Sequence, residues 1–376
     1  MKNTLDQLAV WLKRFEREYA AQSAAAAAGS SSPLAGKLHI NIERSLWSKL
    51  LGEPLGQYYA PRPDPARQIC FQLRIQLFCG EHFPLCAAPL QRFVFPDFGL
   101  TLLPSLFGAR LIYREEIEPA WENKALIGDD GKLPACLPDF EHSGLMPNAL
   151  DCFRRMRELL GAEWQIGFPD WCRGPLGTTA YLRGDENMLT DLLTDPGFAR
   201  RVMEYALRAR FDWLNKRARF LGQNSPGPAV LFNDDVSAGN LSPQTYRKQV
   251  FPHEKQCYEF HEGRIGYHSC GNLTPFLKDI RSLGPLEFFH VSPWTDLDEA
   301  VKVFHPDTRL FVALHPMRDV LGATGGETRK RLRTIRERCS GGPFTVLMTE
   351  LMSCGAPAED LAAIQRAVEI AAEVLC

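Results

Sequence analysis

The sequence predicts an α/β chain folded as a (β/α)8 barrel behind an N-terminal helical extension. Three observations carry this prediction. From about residue 92 short apolar runs alternate with longer helix-patterned segments, the pattern of βαβ units on a parallel sheet. Seven or eight such units favour a closed barrel over an open sheet. Almost every run also ends in polar or special residues, and in a barrel those strand ends converge on the functional face. No Gly-x-Gly-x-x-Gly follows the early runs, which weakens a dinucleotide-binding reading.

Residues 1–90 are predicted to form the helical extension, packed on a barrel of residues 91–376. The chain starts in an amphipathic helix with Leu5, Leu8, Trp11 and Leu12 on one side. Ala24 to Ala28 continue it until Gly29-Ser30-Ser31-Ser32-Pro33 stops it in a loop. A helical region from about Ile42 to Gly80 follows, broken by the proline-rich stretch Ala60 to Pro65. The predicted barrel strands are Phe93-Val94-Phe95, Trp164 to Phe168, Ala229 to Phe232, Ile265 to Tyr267, Phe288 to Val291, Leu310 to Leu314 and Phe344 to Met348. Between them helices show apolar residues at three and four spacing, as at Phe198, Val202, Met203, Ala206 and Leu207.

With 376 residues the chain is long enough for one barrel-sized domain. A formal net charge of -2 with scattered lysines and arginines gives no nucleic-acid footprint. No apolar run spans a bilayer and no signal peptide is evident, so the expected location is cytoplasmic, with no membrane partner. The 11 cysteines are odd in number and lack a repeating spacing, which argues for free thiols and a metal site rather than a disulfide scaffold. Cys70, Cys79 and Cys257 lie among apolar neighbours and read as small buried hydrophobes.

The strand ends hold the chemistry. Asp97, Asp170 with Arg173, Asn233-Asp234-Asp235, His268 with Cys270, Trp294 with Asp296, His315 with Arg318, and Glu350 with Cys354 each follow a run. His268 and Cys270, two apart on a turning segment, can both reach one ion. Cys354 from another strand end would make a third ligand, leaving the fourth position open as a catalytic zinc requires. The competing reading is a buried histidine beside two unrelated core thiols.

Asp235-Val236-Ser237-Ala238-Gly239-Asn240-Leu241-Ser242-Pro243, with Phe251-Pro252, resembles the uroporphyrinogen decarboxylase superfamily. There an acidic strand end leads through Ala-Gly-x-Leu-Ser-Pro into a helix, and Ser242 and Pro243 suit its cap and first turn. Gly167 to Gly177, Val291 to Asp296 and Leu314-His315-Pro316 are similar too, so the resemblance covers roughly residues 90 to 376. The decarboxylase branch carries an Arg-Gln-Ala-Gly-Arg run near its first strand and a late His-Gly. Here Phe93 to Gly99 stands in the comparable first place and Cys354-Gly355 in the second. His-x-Cys with a late Cys is instead similar to the zinc-dependent methyltransferases of the superfamily, which move methyl groups between a corrinoid protein and a thiol. The resemblance implies Zn2+ on His268, Cys270 and Cys354, and a corrinoid supplied by a partner protein, since no Asp-x-His-x-x-Gly run is present.

The remaining residues carry alternatives. Glu350 is a fourth ligand, an acceptor behind the ligands, or a helix-capping acid. Asp234 and Asp235 point to opposite faces of a strand, so one enters the site. Asp235 aligns better with the acidic position of the superfamily, where it orients His268, accepts a proton or serves as a salt-bridged structural acid. Asp170, Arg173, Trp294 and His315 are pocket candidates for binding substrate or cofactor, Arg173 through an acidic group. Trp171 reads as core. The implied function is zinc-dependent methyl transfer between a corrinoid protein and a thiol or small methylated substrate, in a possible homodimer. The alternatives are a cofactor-free decarboxylase or lyase, and a non-catalytic zinc- or corrinoid-binding protein.

Overall fold

The computed structural model describes residues 2–27, 32–122 and 124–376. Most of the Gly29 to Pro33 loop expected from sequence lies outside the described residues. Ten strands are described, β1 (Leu38–Ile42), β2 (Phe93–Val94), β3 (Leu111–Ile112), β4 (Ala120–Trp121), β5 (Gln165–Ile166), β6 (Ala229–Phe232), β7 (Ile265–His268), β8 (Phe288–Val291), β9 (Arg309–Ala313) and β10 (Phe344–Leu351). Six form one parallel sheet in the order β1-β10-β9-β8-β7-β6, and β2 pairs parallel with β5. A parallel bridge from Arg173 to Phe232 joins the chain beyond β5 to β6. The curled parallel sheet and its crossover helices make a (β/α)8-type barrel. β3 and β4 form a separate antiparallel pair.

All seven predicted strand regions are strands. The first strand of the six-stranded sheet, however, is β1, inside the stretch expected to be helical extension. Leu38 pairs with Val346 and Ile40 with Met348 of β10. Helices Arg44–Leu51, Leu55–Tyr58 and Pro65–His82 follow it, broken at the proline-rich stretch. Asp64 starts the last of these by accepting from Ala66 N at 3.0 Å. The N-terminal helix, Lys2–Ala27, lays Leu8 and Phe15 into a cluster with Ile69, Leu73 and Leu77 of that helix.

The barrel core combines Tyr267, Phe289, Val291, Leu310, Val312, Val346 and Met348 with Ile364, Val368 and Ala371 of helix Pro357–Leu375. Each fully buried Val, Leu, Ile, Phe or Met side chain among them contributes roughly 1.5–3 kcal/mol. Trp171 is fully buried, edge-on to Trp213 at 5.9 Å, as core packing. Helix starts are fixed chemically. Ser242 accepts from Thr245 N at 3.0 Å with Pro243 behind it, and Thr324 forms a capping box with Glu327. All eleven cysteines are free. Among the described residues no helix is long and apolar enough to cross a membrane.

Candidate metal centre

The ladder register explains why certain residues meet. Phe232 of β6 pairs with His268 of β7, and their rings lie 4.6 Å apart. Two residues further on along each chain come Asp234 and Cys270. Asp234, His268 and Cys270 each offer a ligand atom, and these atoms lie within 4.8 Å of one another. His268 Nε2 is 3.2 Å from Cys270 Sγ and 3.5 Å from Asp234 Oδ1. The Cys270 backbone N–H also donates to Asp234 Oδ1 at 3.0 Å. From β10, Glu350 accepts the Cys270 thiol at 2.8 Å. Glu350 holds a left-handed backbone conformation, φ +56°, a strained state for a side chain of that kind.

The turn carrying Cys270 is pinned from its neighbours. Ser292 and Thr295 donate their hydroxyls to the Gly271 carbonyl at 2.6 and 3.2 Å. Ser269 donates to the Val236 carbonyl at 3.0 Å. At Gly271 a Cβ would stand 2.5 Å from Ser237 Cβ, so the two turns close only over glycine. Arg173 braces the other side, at 3.0 Å from Asp234 and 3.6 Å from Asp235.

Electrostatics favour a ligand-ready site. Burial, then the Arg173 guanidinium, pushes His268 down to about 4, leaving its imidazole neutral. Burial, then the hydrogen bond to Glu350, holds the Cys270 thiol well above the usual thiol range. A bound dication would reverse that preference, because a coordinating thiol is deprotonated outright. An imidazole, a thiol and carboxylates within ligand reach match the N, S and O donors zinc takes. The residues therefore fit the ion.

The other predicted residues are placed as follows. Cys354 follows β10 on an exposed turn, its thiol 3.5 Å from the Met352 carbonyl and outside the cluster. Asp360 holds that turn by accepting from Cys354 N at 3.2 Å. Asp235 packs against Arg173 and lines a separate cavity with Leu176, Asp185 and Asn240. Burial outweighs the neighbouring Arg173 and raises its carboxyl. Asp170 accepts from Trp171 N at 2.8 Å and is not a member of the cluster. Trp294 and His315, ring centroids 5.5 Å apart, line a cavity of about 200 Å³ with Cys270, His290 and Glu350.

Three features take their roles only from the structure. Asp234 joins the cluster where Asp235 does not. His290, inside the β8 apolar run, stacks on His268 at 4.1 Å and 13°. A polar residue embedded in a strand run was the available signal. An acidic group also surrounds the mouth. Asp97 takes hydrogen bonds from Arg44 at 3.1 Å and Tyr58 at 2.9 Å. Glu118 beside it is pushed up to about 7 by burial, then by Asp97 and Glu43. Glu43 is raised by burial, then by Glu350. Arg44, the carrier of that contact, stands just beyond β1.

A solved structure similar to this chain is a methyltransferase from Methanosarcina mazei, with a TM-score of 0.59 at 16% identity, covering 89% of this chain and 92% of that one. At that identity the likeness is one of fold. No curated protein sequence matches. The family model for uroporphyrinogen decarboxylase (URO-D) matches residues 93–373. That span runs from β2 into the final helix and takes in every residue of the cluster, so the chain belongs to the uroporphyrinogen decarboxylase family.

Proposed function

We propose that this chain is a zinc-dependent methyltransferase, moving a methyl group between a partner's corrinoid and a thiol or small methylated substrate. The observation that carries the reading is the meeting of Asp234, His268 and Cys270 at the barrel mouth, with Glu350 on the Cys270 thiol. A decarboxylase acting without a cofactor has no use for such a donor set. The fold shared with a methyltransferase supports the same reading.

His268 and Cys270 would hold the ion, with Asp234 or Glu350 beside them and Cys354 brought in from its exposed turn. Zinc when bound supplies a Lewis acid that keeps a thiol ionised near neutral pH. The chain's own residues prepare that site. Arg173 and the Cys270 backbone fix Asp234. Neutral His268 keeps a lone pair for the ion. Glu350 takes the Cys270 thiol proton's hydrogen bond and is placed to receive that proton when the thiol ionises. Asp235, on the far side of Arg173, tunes the guanidinium that holds Asp234.

Metal analysis of the purified chain tests this. About one zinc per chain is expected, lost in Cys270→Ser. Methylcobalamin should then lose its methyl group spectroscopically when a suitable thiol is added. A folded, metal-free chain overturns the proposal.

A further inference from the structure

The cavity beside Cys270 has a chemistry of its own. It is lined by Cys270, His290, Trp294, His315 and Glu350, with Ala313, Leu314 and two prolines as apolar wall. His290 is 1% exposed. Its Nδ1 lies 2.9 Å from the Ser269 carbonyl. A carbonyl only accepts, so Nδ1 carries the hydrogen and Nε2 is a bare lone pair. That Nε2 is buried and has no partner, a state that costs free energy until something donates to it. It is not among the atoms gathered around Cys270 Sγ, so the ion's ligand cluster does not account for it.

The lining also sorts charge. It presents the His290 lone pair and the Glu350 carboxylate, with Thr349 and His315 beside them and no lysine or arginine among the lining residues. Trp294, 56% exposed, forms an aromatic wall. That ring already takes a cation, with the Arg318 guanidinium 5.0 Å from its centroid. Two acceptors and an aromatic face suit an organic ammonium better than an anion.

We infer that this cavity is the substrate subsite and that it takes a small protonated amine bearing at least one N–H, read by His290 Nε2. The inference rests on the reading of the Cys270 cluster as the reacting centre, and it names the class of molecule presented there. The ammonium N–H donates to His290 Nε2, and Trp294 covers the methyl groups.

Calorimetric titration of the full chain as purified tests this, with trimethylammonium, tetramethylammonium and methanesulfonate as probes. Trimethylammonium should bind at least about tenfold tighter than tetramethylammonium, which has the charge and the shape but no N–H. Methanesulfonate should not bind. His290→Asn keeps the donor to Ser269 and deletes the lone pair, so it should erase the tenfold preference. His290→Gln returns an acceptor to that position and should restore it. Equal binding of the two ammonium ions, a preference for the anion, or loss of zinc in His290→Asn overturns the inference. The comparison between the two ammonium ions on the unaltered chain stands even if a variant misfolds. Zinc content and methylcobalamin demethylation are read on the same preparation. No amine preference with zinc and transfer intact defeats this inference alone, and amine recognition by a zinc-free chain defeats the zinc reading alone.

Discussion

Cys270 donates its thiol hydrogen to Glu350 across 2.8 Å, joining the end of β7 to the end of β10. Glu350 makes that contact from a left-handed backbone, φ +56°. Such a conformation costs a side-chain-bearing residue about 1–2 kcal/mol. Glu350→Gly should therefore raise stability by about 1 kcal/mol in urea unfolding while weakening zinc retention. A lower unfolding midpoint would count against stored strain at the site.

Cys354 is exposed and Cys270 half-buried. In chelator-treated protein Cys354 should be alkylated well before Cys270, as peptide mass spectrometry would show. Added zinc should protect both thiols if the Cys354 turn closes onto the ion. Protection of Cys270 alone would leave the ligand set as Asp234, His268, Cys270 and Glu350.

Arg173 lies between two carboxylates, 3.0 Å from Asp234 and 3.6 Å from Asp235. Arg173→Leu leaves those acids facing each other with no counter-charge. A loss of about 2 kcal/mol in urea unfolding is expected, because removing one partner strands partly buried charge. Double replacement with Asp234→Asn should recover part of it, and strict additivity would show that the pair is not coupled.

Glu254 is fully buried, accepting from Tyr246 at 2.6 Å and Tyr267 at 3.1 Å. Burial pushes its carboxyl up to about 7 despite those two hydrogen bonds. The folded state thus holds the proton more tightly than the unfolded chain. The resulting stabilisation is full below the unfolded value near 4.5 and is lost as pH rises to about 7. The linked loss is about 3 kcal/mol. The stability difference between the native chain and Glu254→Gln should change across that window and flatten above it. A difference independent of pH would show that Glu254 is ionised throughout.

The apolar runs of β6 to β10 were legible because barrel strands are buried on both faces and read as continuous hydrophobic stretches. β1 was not. Leu38-His39-Ile40-Asn41-Ile42 alternates, and it sits beside long helical segments. His268 and Cys270 stood out as a ligand-spaced pair. The choice between Asp234 and Asp235 did not follow from the β6 segment by itself, because it depends on Phe232 pairing with His268 on the next strand. The partner of a residue across a ladder is set by register, which no local pattern prints. His290 was hidden for the opposite reason, since a single histidine in Phe288-Phe289-His290-Val291 looks like packing.

β1 is an edge of the six-stranded sheet, and its neighbour there is β10. The first barrel strand to be made therefore waits for the last. Ribosomes add roughly 5–20 residues per second, so the interval between Ile42 and Leu351 is about 15–60 s. For that time β1 offers an open hydrogen-bonding edge, the kind of surface that chaperones cover and that recruits a second copy when they do not. Newly made chains, in which neither edge of β1 is paired, are where aggregation of this protein should first be sought.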